Sequence, residues 1–517
     1  MKITVSERNM NMNMNTFMKE LKKETNYTLT ENGAVTHKST LNAVYDMFAL
    51  GGAYRYRPDA DCVTLFKKAF KEDKDLALKC LFYLRDCRGG QGERRFFRVC
   101  YKWLIEEDPL TASSLLEEIP EYGRWDDLIY IVYKTPLEKD GFNIIKRQLA
   151  LDIQCKTPSL LGKWMPSENA SSKQTKEIAN AIRSYCNMTH REYRKILSEL
   201  RKRINVLERL MSANRWTEIE FDKIPSKAGL IYKNAFAHKE VIAAKYAAFA
   251  ADKTKKVNAS VLYPHDIAKS ALKPYYIGDS ERQMLQKYWD NLPNYYGDKT
   301  ENGIAVVDTS GSMSGQPIEA AISMGAYVAE KAHGPFANHF ITFSAHPELI
   351  EFEGKDIVDK FRNCIRANWG MNTNIVAVFN LLLTTAKQKN VKKEDMPTRL
   401  YIFSDMEFDH CITTASVVPS STFGWSRAPH INRNEINTLI EDIKQKWEAE
   451  GYDFPEIVFW NLNARQNNIP AIGDGFSYVS GFSPVMIEGV LSGKTSIDLM
   501  LDKLLSSRYA PIKGLSF

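Results

Sequence analysis

Gly303-Ile-Ala-Val-Val-Asp308-Thr-Ser310-Gly-Ser312-Met313 decides the fold of the second half of this chain. An unbroken apolar run of this length reads as a strand covered on both faces, because only a strand with one solvated face must alternate. The run ends in an acid. The turn that follows offers two hydroxyls spaced by two, with Gly311 free to take an unusual backbone angle. One carboxylate and two hydroxyls form an oxygen-only donor set, which suits a hard divalent cation.

Downstream of that strand the pattern alternates. Helical periodicity covers 318–333, 374–387 and 432–450, and short apolar strands are expected at 338–344, 349–352, 399–404 and 456–462. Strands alternating with helices predict a mostly parallel, Rossmann-like α/β sheet with helices on both faces. Ligands in such sheets sit at the carboxyl ends of strands. Two of the strands end in an acid, Asp308 and Asp405, so both carboxylates are expected on one edge. Mg²⁺ takes about six oxygens. Thr373, in Trp369-Gly-Met-Asn-Thr373-Asn374, precedes a helix and is a further candidate. Mn²⁺ or Ca²⁺ would satisfy the same donors.

Upstream, residues 21–295 read as successive helices behind a polar, flexible tail at 1–20. Candidates are 40–49, 59–72, 74–85, 92–107, 123–134 and 174–186. In 189–211, Tyr193, Ile196, Leu197, Leu200, Ile204, Leu207 and Met211 recur at steps of three and four, which places them on one helical face. Thr189 and Glu192 have capping-box spacing. Many helices in succession suggest an α-solenoid, HEAT-like, or a ring of helical pairs. Charge is concentrated here: residues 171–260 hold 19 Lys or Arg against 9 Asp or Glu, in a chain of net charge only +6. Such a block suggests a polyanionic partner, or a solvated helical face.

Asp308-x-Ser310-x-Ser312, the later Thr373 and the strand-end Asp405 resemble the metal-ion-dependent adhesion site of von Willebrand factor A domains, expected here over 300–517. Asp308-Thr-Ser-Gly-Ser-Met313 is also similar to the form of that motif in TROVE proteins, the Ro autoantigen group, although Met371-Asn372 stands where the family has two glycines. Leu84-Arg-Asp-Cys-Arg88-Gly-Gly-Gln-Gly92-Glu-Arg94-Arg95, Tyr122-Gly-Arg-Trp125-Asp-Asp-Leu128 and Lys163-Trp-Met-Pro166 resemble a TROVE-like family that joins helices to such a domain. The resemblance implies a basic helical region that binds single-stranded ends and stems of non-coding RNA. It implies phosphate contacts from Arg85, Arg88, Arg94, Arg95, Lys163, Arg191, Arg194, Lys195, Arg201, Lys202 and Arg203, and stacking by Trp164, Tyr193 or Trp216. Against it stand two structural readings: Arg85, Asp86 and Glu93 as an internal ion network, and Trp125 and Trp164 as helix-packing anchors. In the family the metal's open position accepts an acidic group from a protein partner.

Other classes find little support. With 44% apolar and 26% charged residues the composition is that of a globular protein, and no apolar run is long enough to span a bilayer. The amino terminus has no apolar core of a secretory signal, and the eight cysteines form no Cys-x-x-Cys pair, so a reduced cytoplasmic protein is expected. Gly489-Val-Leu-Ser-Gly-Lys-Thr495 is one residue short of a phosphate loop. The reading is a non-enzymatic RNA-binding protein, a scaffold or quality-control factor. The alternatives are an adaptor that grips an acidic protein through the metal, and a metal-dependent nuclease that would draw on Glu407 and Asp409 as well.

Overall fold

A computed structural model describes residues 22, 25–297, 301–344, 346–366, 374–409, 439–492 and 494–515. Helix starts follow side-chain caps. The Asn42 side chain accepts from the Tyr45 N–H, Asp73 from Leu76 and Asp108 from Thr111, each satisfying a donor that the first turn leaves open. Thr189 and Glu192 form the capping box that opens His190–Arg203. The single helix expected over 189–211 is in fact two. The first ends at Ile204, Asn205 takes φ +50°, and Leu207–Ser212 follows. Asparagine tolerates this left-handed conformation, and the apolar spacing simply continues across the break.

The region expected to be helical begins instead with a hairpin, β1 (Tyr27–Leu29) and β2 (Val35–His37). Three-residue strands are too short to leave a periodic signal. This hairpin packs on the second half of the chain: the Thr30 hydroxyl donates to the Phe408 carbonyl at 2.7 Å, and His37 and Ile469 exchange backbone hydrogen bonds.

The second half holds a six-stranded sheet of β3 (Gly303–Asp308), β4 (His339–Phe343), β5 (Leu349–Glu351), β6 (Arg399–Ser404), β7 (Glu456–Asn461) and β8 (Phe476–Ser480), in the order β5-β4-β3-β6-β7-β8. All pairs are parallel except β4–β5. β3 has β4 on one side and β6 on the other, so the chain reverses its direction of winding there and opens a crevice at their carboxyl ends. All six residues of β3 are buried, as its continuous apolar run requires.

β8 has no counterpart among the expected strands. It lies at the end of the sheet, where the helix Ala43–Leu50 and the turn after it cover it. The Tyr45 hydroxyl accepts from the Tyr478 N–H, and the Gly52 N–H donates to Ser480 Oγ at 3.0 Å. A Cβ on Gly52 would come within 2.8 Å of the Ser480 carbonyl oxygen, a backbone atom that cannot swing aside. Gly52→Ala is therefore expected to cost about 1–3 kcal/mol, the usual penalty of overpacking. Urea unfolding checks it, and a midpoint equal to that of the wild type would refute the close approach. The carboxy-terminal segment returns to the helices: Arg508 and the Tyr509 hydroxyl both reach Asp86, and the Gly514 N–H donates to Asp75. Among the described residues no helix is long and apolar enough to cross a membrane. Their cysteines are unpaired, and Cys155 alone among them is exposed.

Candidate functional site

Two features stand out: the edge of the sheet at β3 and β6, and a large cavity among the helices.

At the edge, the register sets Val307 opposite Phe403, so Asp308 and Ser404 end adjacent strands. Asp308 is fully buried. Its Oδ1 accepts from the Ser310 N–H at 2.9 Å and its Oδ2 from the Ser404 hydroxyl at 2.6 Å. The Ser310 and Ser312 hydroxyls lie 3.0 Å apart. Asp405 is also fully buried; its Oδ1 accepts from the Glu407 N–H, its Oδ2 has no partner at full hydrogen-bond geometry, and the Ser312 hydroxyl is near enough to act on the carboxyl. Burial, then the neighbouring Asp405 charge, pushes the Asp308 carboxyl up to about 7. Burial raises Asp405 as well, and pushes the buried Glu407 up to about 7. Two acids forced together out of water, one with an oxygen lacking a full partner, are a poor arrangement without a cation and a good donor set with one. Asp308, Ser310, Ser312 and Asp405 thus converge as expected, and Thr373 lies outside the described residues. Among those residues no three His, Cys, Asp or Glu converge on a common point, so a cation here rests on two acids and hydroxyl oxygens. The Asp308 partner Ser404 is absent from the sequence reading, because neighbour relations between strands leave no mark in a local pattern.

The cavity has a volume of about 1810 Å³ and is walled by segments from Arg55 to Asp266, joined by Gln316. Twelve Lys or Arg line it against six Asp or Glu. Burial holds His265 down at about 4, so this wall residue is neutral near pH 7. Arg88, Arg94, Arg95, Lys163, Arg194, Arg85 and Arg201 come together here, although they lie far apart in sequence. Arg55, Arg124, Arg147, Arg209 and Lys227 join them, and none of these is among the phosphate contacts expected from the sequence. Arg191, Lys195, Lys202 and Arg203 do not line the cavity.

The wall cations differ in how firmly they are committed. The Arg85 guanidinium is buried and grips Asp127 Oδ2 through Nε at 2.8 Å and Nη2 at 2.6 Å, so it holds the wall and offers a ligand little surface. Arg85 is thus held in an internal ion pair, but with Asp127; Asp86 pairs instead with Arg508 and Glu93 with Arg55. Arg201 donates to the Gly162 and Met165 carbonyls and to Ser167, and Arg203 donates to the carbonyls of Asp152, Ile153 and Cys155; both tie backbone at or near helix ends. Arg94 is different. It is half exposed, with a carboxylate no nearer than Asp126 at 3.9 Å. Burial, then the charges of Arg98 and Arg124, depress its guanidinium, the mark of crowded cations. Arg124 lies 4.0 Å over the Trp164 ring, and the Lys163 ammonium lies 5.3 Å from it. Trp164 is thus a platform for cations, whereas Trp125 packs against the core. Tyr193 is buried with its hydroxyl on the Pro166 carbonyl, and the Lys239 ammonium lies 5.3 Å from the Trp216 ring, which is half-buried.

The two features touch. Gln316, which directly follows the loop of Ser310 and Ser312, accepts from Arg55 Nη1 at 2.9 Å and faces His265 at 3.2 Å.

A mostly helical first part and a mixed six-stranded α/β second part define this class of protein. Residues 30–158 and 159–294 match the family described as a domain of unknown function (DUF2828), and residues 302–505 match a domain of unknown function (DUF7788). An uncharacterized protein of Acanthamoeba polyphaga mimivirus is 31% identical over an alignment that covers 91% of this chain and 85% of that protein. The chain belongs to the DUF2828 family. Among solved structures, the crystal structure of the Deinococcus radiodurans Ro (RSR) protein aligns with a TM-score of 0.39 and 11% identity, covering 90% of this chain and 99% of that one.

Proposed function

We propose that this protein is a non-enzymatic RNA-binding protein whose helical part, HEAT-like in construction, takes RNA into the basic cavity. The observation that carries this reading is the cavity itself. Its volume exceeds the roughly 300–1,000 Å³ of small-ligand pockets, and cations outnumber acids two to one on its wall. A polyanion with flexible single-stranded segments suits such a wall, since phosphates pair with Arg and Lys and need no base-specific contact. The test is anisotropy of a labelled single-stranded RNA at rising salt. Contact with several phosphates predicts a steep fall in affinity. Binding that ignores salt, or no binding at low salt, rejects the proposal.

The sheet domain supports a second reading, in which it is a von Willebrand factor A-type domain that holds Mg²⁺ through Asp308, Ser310, Ser312 and Asp405, with Thr373 as a further candidate. The buried Asp405 Oδ2, with no partner at full hydrogen-bond geometry, is the observation that favours it. A bound ion would serve as a positive centre for an acidic protein partner. The pH dependence follows from the Asp308 shift. Its carboxyl titrates near 7 folded against 3.8 ordinarily, so the folded chain binds more protons than the unfolded one between those values. Metal-free stability should therefore fall as pH rises from about 4 to about 7. A cation requires the ionised carboxylates, so the melting-temperature gain from Mg²⁺ over EDTA is expected to be larger at pH 8 than at pH 5 and absent in Asp308→Ala. An equal gain at both values, or one that persists in the variant, would count against this site.

A further inference from the structure

One stretch of the cavity wall carries more positive charge than its own acids neutralise. Three arginines share Asp126 Oδ2: Arg124 Nη2 lies at 2.7 Å, Arg98 Nη2 at 3.0 Å and Arg94 Nη1 at 3.9 Å. Asp127 holds Arg85 and the Nε of Arg98. Lys163 joins the group through the Trp164 ring, over which Arg124 also lies. Five cations thus meet two acids. Arg94, Arg124 and Lys163 line the cavity, whereas Asp126 and Asp127 do not, so the acids are set back and the surplus charge borders the open space. Of the acids that do line it, Glu93, Glu117, Glu168 and Asp266 are matched to Arg55, Arg147, Arg183 and Lys227. The helix Arg94–Glu107 begins here with two arginines and has no acid in its first turn, so the helix dipole adds to the unfavourable crowding.

We propose that Arg94, Arg124 and Lys163 form a site for a phosphate monoester, the terminal phosphate of an RNA strand. This rests on the RNA reading above. A phosphate within a strand carries one negative charge, whereas a monoester carries about −1.5 to −2 at pH 7. The monoester also presents three strong acceptor oxygens, which suits donors that arrive from separate segments of chain. Arg94 comes from the start of the helix Arg94–Glu107, Arg124 from the residue before the helix Trp125–Val132, and Lys163 from the short helix Leu161–Trp164. Cations that met only the internal phosphates would be spaced along the path of the strand, but here the surplus is gathered at one point. A strand end anchored there leaves its remaining phosphates to other wall cations such as Arg88, Arg194 and Arg209.

Anisotropy of one internally labelled single-stranded RNA provides the test, with the strand prepared to carry a 5′-phosphate, a 3′-phosphate, or hydroxyls at both ends. In about 100 mM KCl exposed charges more than roughly 10 Å apart are largely screened, so an added phosphate counts only where it is contacted. One of the two phosphorylated strands is expected to bind the full chain about tenfold more tightly than the hydroxyl strand, the scale of one further hydrogen bond between charged groups. The strand that shows the gain identifies the end that enters. Arg94→Gln is expected to remove the gain and still bind the hydroxyl strand. Equal affinity of wild type for all three strands would overturn the monoester site and leave RNA in the cavity standing, a comparison that needs no variant. A gain of undiminished size in Arg94→Gln would overturn its placement on this part of the wall. Wild-type protein that binds none of the three would overturn the RNA reading and this site with it.

Discussion

Arg94→Glu/Lys163→Glu protein is expected to bind single-stranded RNA about 100-fold more weakly than wild type, close to 2.7 kcal/mol. Both side chains line the cavity, and neither closes the core. Arg94 is half exposed and its nearest carboxylate is the distant Asp126, so its charge is poorly neutralised. Lys163 is held against the Trp164 ring, which leaves its ammonium group available to a ligand. With RNA in the cavity as proposed, each reversal would remove a cation that meets phosphate and put an acid in its place, and about tenfold for each follows from the scale of such contacts. The salt dependence should flatten too, by roughly 0.7 in log–log slope for each phosphate of a single strand that is no longer neutralised. Anisotropy at salt concentrations from about 50 to about 300 mM KCl reads both quantities. An affinity within threefold of wild type and an unchanged slope would move the RNA off this wall. Reversal of Arg201 and Arg203 would be a poorer experiment, because both bond backbone carbonyls and their loss would disturb the fold as well.

Asp127→Ala is expected to destabilise the protein by about 3–5 kcal/mol, the range for breaking a buried ion pair from one side. Asp127 is fully buried and receives four hydrogen bonds: two from Arg85, one from Arg98 Nε at 2.7 Å and one from the Arg124 N–H at 3.0 Å. Alanine would leave the Arg85 guanidinium buried with no acid against it. The loss would spread, since Arg98 and Arg124 also share Asp126 and support the cavity wall. Urea unfolding gives the number from the shift in midpoint at constant slope. A change below about 1 kcal/mol would mean that water reaches Arg85 and that the network is weaker than its geometry implies.

Much of the sheet domain was legible from local pattern. The run Gly303–Asp308 is a buried strand because nothing in it alternates, and the acid and hydroxyls that follow it sit where the chain must turn. Arg399–Ser404 reads in the same way, and the capping box at Thr189 forms as its spacing requires. These features depend on residues a few positions apart, which is the range over which hydrogen-bond caps and side-chain periodicity act. The short hairpin, the edge strand β8 and the helix break at Asn205 fall below that range or run through it without a change of pattern.

By itself the sequence determined where chemistry could lie: an oxygen-rich turn after a buried strand, a second acid at another strand end, and an excess of cations in the helical part. Tertiary structure alone decided which of these groups meet. Strand order set β3 beside β6 and gave Asp308 the Ser404 hydroxyl. Helix packing gathered Arg55, Arg124 and Lys227 into the same wall as Arg94, and turned Arg201 and Arg203 toward carbonyls. The hairpin brought Glu31 to Arg465, 434 positions away. Side-chain chemistry is written residue by residue, whereas the partner of a charge depends on angles between distant elements, which the packing of the whole core sets.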